Sequence, residues 1–290
     1  NGHTLSSNNY DFNLISDSEL TFDNCIVDIS ADTMNSGNTW GWLIFCLGSG
    51  SSLNLINNTV FNISFDSSQK VHCAFYGNES GECEINISNN SQLNIAGKNT
   101  KGVTGDGIQC GKSGNVHISV TEGSMLSIDG ANRGYANSPE ILVQDSTLSV
   151  KNCTANASNG GKDTFINSTI IYENNAGHGL SSTTLDVQNS KLYIRNNGYC
   201  GIAVSGDMKM DGTSEAEITG NGCNNLSGQG ALRLSGKTEI EASASVNITD
   251  NYCIGIYLNS TNASLNVKEG AALTITGNEK LTNGDHGYPT

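Results

Sequence analysis

The chain has 290 residues, with 14 Lys+Arg against 28 Asp+Glu and a net charge of −14. An acidic chain without basic runs excludes nucleic acid and anionic membrane surfaces as partners, and the lack of any apolar stretch of about 18 residues excludes a transmembrane helix. Two prolines, 34 glycines and an excess of Asn and Ser favour many tight turns over helices.

In chain order, the first pair of expected strands turns Leu20/Phe22 and then Ile29 inward. The pair returns as Leu53/Leu55 with Ile63, Ile85/Ile87 with Ile95, Ile118/Val120 with Ile128 and Ile141/Val143 with Val150. It returns again as Leu185/Val187 with Ile194, Met208/Met210 with Ile218 and Leu265/Val267 with Ile275. Tyr172 and Ile248 mark two more copies of the second member, the repeat strand. Apolar residues at every second position are the mark of a strand with one buried face. Repeat strands read small-x-apolar-x-apolar-x-Asn/Gly, as in "SQLNIAG" from Ser91 and "SKLYIRNN" from Ser190. Successive copies lie about 34, 32, 33, 22, 22, 22, 24, 30 and 27 residues apart. A third strand opens on glycine: "GIAVS" at Gly201, "GALRLS" at Gly230 and "GIYLN" at Gly255.

Three short strands and three turns in every 22–34 residues predict an all-β fold. The expected architecture is a right-handed parallel β-helix, a solenoid of about ten three-strand coils. Residues 1–290 form one such domain. The chain opens at "NGHTLSS" with no leader, which reads as a piece of a longer secreted or surface protein. The asparagines that close the repeats (Asn152, Asn174, Asn196, Asn221, Asn251 and Asn278) are expected at one turn, their amides stacked as a ladder. The nine cysteines match no zinc spacing, and several fall in strands. Most are expected to be thiols buried as small hydrophobes.

This coil pattern and ladder resemble the pectin-lyase-like superfamily of β-helices over most of the chain. That superfamily includes lyases, hydrolases, esterases and adhesins, so the resemblance specifies fold more than activity. Within it, Gly177-His178-Gly179 resembles an active-site triplet of polygalacturonases. Such an enzyme needs two carboxyl groups flanking the bond. The preceding coil offers Asp163 without a paired Asp, and the following "GIAVSGDMKM" lacks Arg-Ile-Lys. Asp106 in "TGDGIQC" lies three coils away, ~14 Å along the axis. Gly179 occupies the same place as Gly201, Gly230 and Gly255, so the glycine belongs to the repeat and His178 is incidental to it. The resemblance is therefore to the adhesin type more than to the polygalacturonase type.

The outward positions of the repeat strand, Asp28 to Thr274, place no carboxylates on neighbouring coils. The preceding strand's outward row, read as Thr21, Asn54, Asn86, His117, Leu142, Asp186 and Lys209, is mixed. No catalytic residue, metal site or cofactor is expected from either row, and the third strand's face is the one place where an active site could hide. Extra residues fall at one junction on successive coils: "ADTMNSGNTWGW", "FDSSQKVHC", "AGKNTKGVTGDG" and "GANRGYANSP". They are expected to gather Trp40, Trp42, Lys98, Lys101, Arg133 and Tyr135 into an exposed ligand-binding patch suited to acidic sugars. The first expectation is a non-catalytic, adhesin-like module, secreted or at the cell surface, that binds glycan or a cell-surface protein through this cluster. The alternatives are a polysaccharide-active hydrolase or lyase, and a structural stalk.

Overall fold

The computed structural model describes residues 3–8, 12–30, 42–66, 71–78, 80–98, 105–223 and 230–278. Among these residues there are thirty strands and no helix, and every strand pairing is parallel. Most turns of the chain contribute one strand to each of three faces. The repeat strands form an 11-stranded sheet and the strands that precede them a 10-stranded sheet, called here the second sheet. The third face is divided into a 5-stranded and a 4-stranded sheet. This is the parallel β-helix. At ~4.8 Å per coil, the repeat sheet's ten steps span ~48 Å.

Inward columns run without a slip through the repeat sheet. Ile29, Ile63, Ile95, Ile128, Val150, Tyr172, Ile194, Ile218, Ile248 and Ile275 are direct partners in that order. Those from Ile29 to Ile248 are buried. Each such side chain contributes about 1.5–3 kcal/mol by leaving water. Six of the nine cysteines, Cys73, Cys83, Cys110, Cys153, Cys200 and Cys253, are buried as small apolar side chains would be.

The second sheet contains two coils that the apolar pattern does not mark. Asp163/Phe165 stand between Ile141/Val143 and Leu185/Val187. Thr238/Ile240 stand between Met208/Met210 and Leu265/Val267. A polar residue occupies an inward position in each, and both Asp163 and Thr238 are buried.

The asparagine ladder exists with a shifted membership. Its rungs are Asn175, Asn197, Asn221, Asn251 and Asn278, each amide donating to the next carbonyl at 2.8–3.0 Å. The same carbonyl accepts the preceding rung's backbone N–H, as when Asn221 N–H donates to Asn251 Oδ1 at 2.9 Å. Asn152, Asn174 and Asn196 instead sit one residue earlier, at a left-handed corner with φ of 54°, 59° and 55°. Asparagine suits both places: its side chain bonds locally and tolerates positive φ. A second ladder stabilises another turn, where backbone N–H groups of Ser91, Ser124, Ser146 and Ser168 donate to the next coil's serine Oγ at 3.0–3.2 Å.

The repeat glycine has a steric cause. A Cβ on Gly201 would lie 2.9 Å from the Asn221 amide nitrogen, and one on Gly179 would lie 2.8 Å from that of Asn197. Ladder and glycine therefore require one another. Asn221→Ala is expected to cost at least ~2 kcal/mol, because Asn197 and the Ile194 carbonyl lose buried partners. Asn174→Gly, at the exposed corner, is expected to change thermal stability little, because glycine accepts that conformation. Equal losses of melting temperature would contradict this division of roles.

Candidate functional site

The structure divides the expected patch. Trp40 and Lys101 lie outside the described residues. Trp42 opens one third-sheet strand, Trp42–Leu47, and Lys98 ends a repeat strand, Gln92–Lys98. Arg133 is committed to Asp106. Its Nη2 donates to Asp106 Oδ2 at 2.6 Å and its Nε to both carboxylate oxygens at 3.1 Å. Asn132 Nδ2 and the Arg133 backbone N–H also donate to Asp106 Oδ1. This hydrogen-bonded carboxylate holds the guanidinium pKa above its ordinary range. Asp106 is thereby satisfied as a structural anion, buried beneath the loop.

Tyr135 is not exposed, which corrects its place in the patch. It continues the inward column Phe12, Phe45, Phe75, Ile108 and is fully buried. Its strand is only two residues long, Tyr135–Ala136, too short for a period-two pattern to reveal its face. For Arg133 we expect a structural phenotype. Removing one partner of a buried pair costs about 3–5 kcal/mol, so Arg133→Ala should lower the melting temperature markedly. Lost ligand binding with unchanged melting would restore the patch reading.

His178 is half-buried in the third face. Its Nδ1 accepts the Cys200 backbone N–H at 3.2 Å, so the hydrogen of the neutral ring is on Nε2. Tyr199 packs edge-on at 5.3 Å. Burial first, and Arg233 second, push its pKa down to about 4. No carboxylate orients or shares a proton with this ring among the described residues, so it has the geometry of a neutral donor and lacks that of a glycosidase acid or base.

Around His178 runs an open concave surface. The third face breaks between Tyr135–Ala136 and Leu180–Ser182, where the chain turns through Gly160 and Gly161 at φ of 70° and 135°. A groove of about 570 Å³ crosses this break. Its walls come from six successive coils, from Ser113 through Asn137, Asn159, His178 and Ser205 to Arg233. That is ~24 Å along the rod at the coil spacing. Hydroxyls and amides dominate the lining, which contains no Asp or Glu. Apart from His178 in its triplet, no motif in the sequence marks it, because each coil supplies only one to three residues.

Beneath the groove lies a buried polar cluster. Ser182 turns inward in the column continued by Val204 and Leu234, and its Oγ donates to Asp163 Oδ2. Asp163 Oδ1 has no hydrogen-bond partner among the described residues. The Tyr135 and Tyr172 hydroxyls bond to each other nearby. Desolvation raises the Asp163 pKa from 3.8 to about 7, with the Ser182 hydrogen bond opposing it.

The second sheet's outer face also differs from expectation. His117 is not in the row of Asn86 and Leu142, where Ser119 stands instead. It falls in a column with Glu84, Glu140 and Lys162. His117 Nδ1 lies 3.4 Å from Glu140 and Nε2 lies 3.8 Å from Glu82. Both acids are exposed, and surface contacts of this type are worth about 0–1 kcal/mol per pair. Among the described residues, no group of three or more His, Cys, Asp or Glu side chains is placed to hold a metal ion.

Comparison with protein-family models, with curated proteins and with solved structures gave no significant match.

Proposed function

We propose that this chain is a non-catalytic binding module on a pectin-lyase-like β-helix scaffold, secreted or at a cell surface, that holds an extended glycan along the third-face groove. The carrying observation is the lining: six coils of hydroxyl and amide groups, one guanidinium, one neutral imidazole and no carboxylate. A chain-shaped ligand matches a site that repeats at the coil spacing. The parallel coils and the asparagine ladder support the scaffold assignment. Against a hydrolase or lyase stands the chemistry: paired carboxyls across a bond, or a base beside acidic metal ligands, are what those reactions need.

The loop junction supports a second contact surface. Its flanking strands stack coil on coil, which places the Trp42 and Lys98 positions at the same junction two turns apart. With Tyr135 buried and Arg133 engaged by Asp106, that surface would rely on Trp40, Trp42, Lys98 and Lys101. A glycan array run beside a reducing-end assay tests the proposal. Array binding without new reducing ends is expected, whereas turnover of any bound glycan would establish an enzyme.

A further inference from the structure

We propose that the Arg233–His178 end of the groove is a subsite for a sulfate ester, so that the module selects sulfated over neutral glycan chains. This rests on the groove being the glycan site. The protein has three arginines. Arg133 and Arg195 form bidentate pairs with Asp106 and Glu217. Arg233 has no carboxylate partner among the described residues. Asn259, one coil on, turns its side-chain carbonyl to Arg233 instead, accepting from Nη2 at 2.8 Å and Nε at 3.3 Å. A neutral acceptor orients the guanidinium without cancelling its charge, and Arg233 lines the groove.

The neighbours are donors too. His178 presents Nε2–H, because Nδ1 is taken by Cys200. Ser181 and Ser235 add hydroxyls on the first and third of the same three coils, whereas the Ser205 hydroxyl between them donates to the Ser182 carbonyl at 3.4 Å. A neutral sugar hydroxyl is held best where a charged acceptor takes its proton, and this stretch has none. An anion reverses that demand. The donors are also spread over two coil steps, ~10 Å along the rod. A carboxylate offers two oxygens in one plane, whereas a sulfate ester offers three that fan out in three directions and can use donors from several coils. The remaining surface, at net charge −14, repels polyanions, so tight binding of one must be local.

The test is calorimetry of the full chain with length-matched dextran, dextran sulfate and polygalacturonate at 0.15 M salt. Dextran sulfate should bind at least tenfold tighter than dextran. Arg233→Gln should remove that preference while leaving the melting temperature in place. Arg233→Lys, which keeps the charge and loses the fork, should retain part of it. A preference for polygalacturonate over dextran sulfate, or a sulfate preference that survives Arg233→Gln, would overturn the subsite. Equal binding of dextran and dextran sulfate would reject the subsite and leave the groove reading standing. Binding of none of the three polymers would reject both.

Discussion

Asp163→Asn should stabilise the protein relative to the parent by an amount that grows from near zero at pH 4 to ~4 kcal/mol at pH 7. The figure is the rise from 3.8 to about 7 in the Asp163 pKa, at 1.36 kcal/mol per unit, and is an upper estimate. Between those values the folded chain holds a proton that the unfolded chain has released. The stability tied to Asp163 is therefore full below pH ~4 and is lost as pH rises through 7. His178 acts in the opposite sense. Its folded pKa of about 4 lies below its ordinary 6.5, so the unfolded chain gains a proton first as pH falls. Its contribution is present above 6.5 and lost toward 4. The two slopes oppose one another in the parent, which should show a flat stability profile from pH 4 to 7. Asp163→Asn should expose the histidine slope. Denaturant unfolding across this range checks the difference, and a variant-minus-parent difference independent of pH would show that Asp163 titrates in the fold as it does in the unfolded chain, without a raised pKa.

Val150→Asp is expected to remove several kcal/mol, enough to unfold a marginal protein, whereas Ser149→Asp should cost little. Val150 is buried between Ile128 and Tyr172 in the inward column. A carboxylate there has no partner and cannot reach water. Ser149 faces outward between Ser127 and Ile171, where a charge stays hydrated. Similar melting losses for the two variants would mean that the strand is turned by one residue, because such a slip exchanges the faces.

The period-two columns were legible in the sequence because an apolar face leaves little ambiguity: the column from Ile29 to Ile275 is in register throughout. Legibility failed where one residue type serves two geometries or where a polar side chain turns inward. Asparagine suits both the left-handed corner and the ladder rung beside it, so Asn174 could not be told from Asn175. Asp163 and Thr238 broke the apolar pattern and hid two strands of the second sheet, Lys162–Ile166 and Lys237–Ile240. The break at Asp163 coincides with the buried cluster under the groove, in keeping with the tendency of local rules to fail near special sites. A five-residue strand such as Val116–Val120 has two outward positions, and nothing local assigns His117 rather than Ser119 to a given row. Tyr135 was misplaced because its strand is too short to show periodicity. The groove itself is a product of stacking, invisible until coils 22 to 30 residues apart are laid side by side.

The most direct test of the binding account fills the groove without touching the core. Ala203 faces outward between Ser181 and Arg233 and lines the groove. Ala203→Phe should melt like the parent yet lose at least tenfold in affinity for a glycan identified on the array. Undiminished glycan binding by Ala203→Phe would contradict the groove as the site.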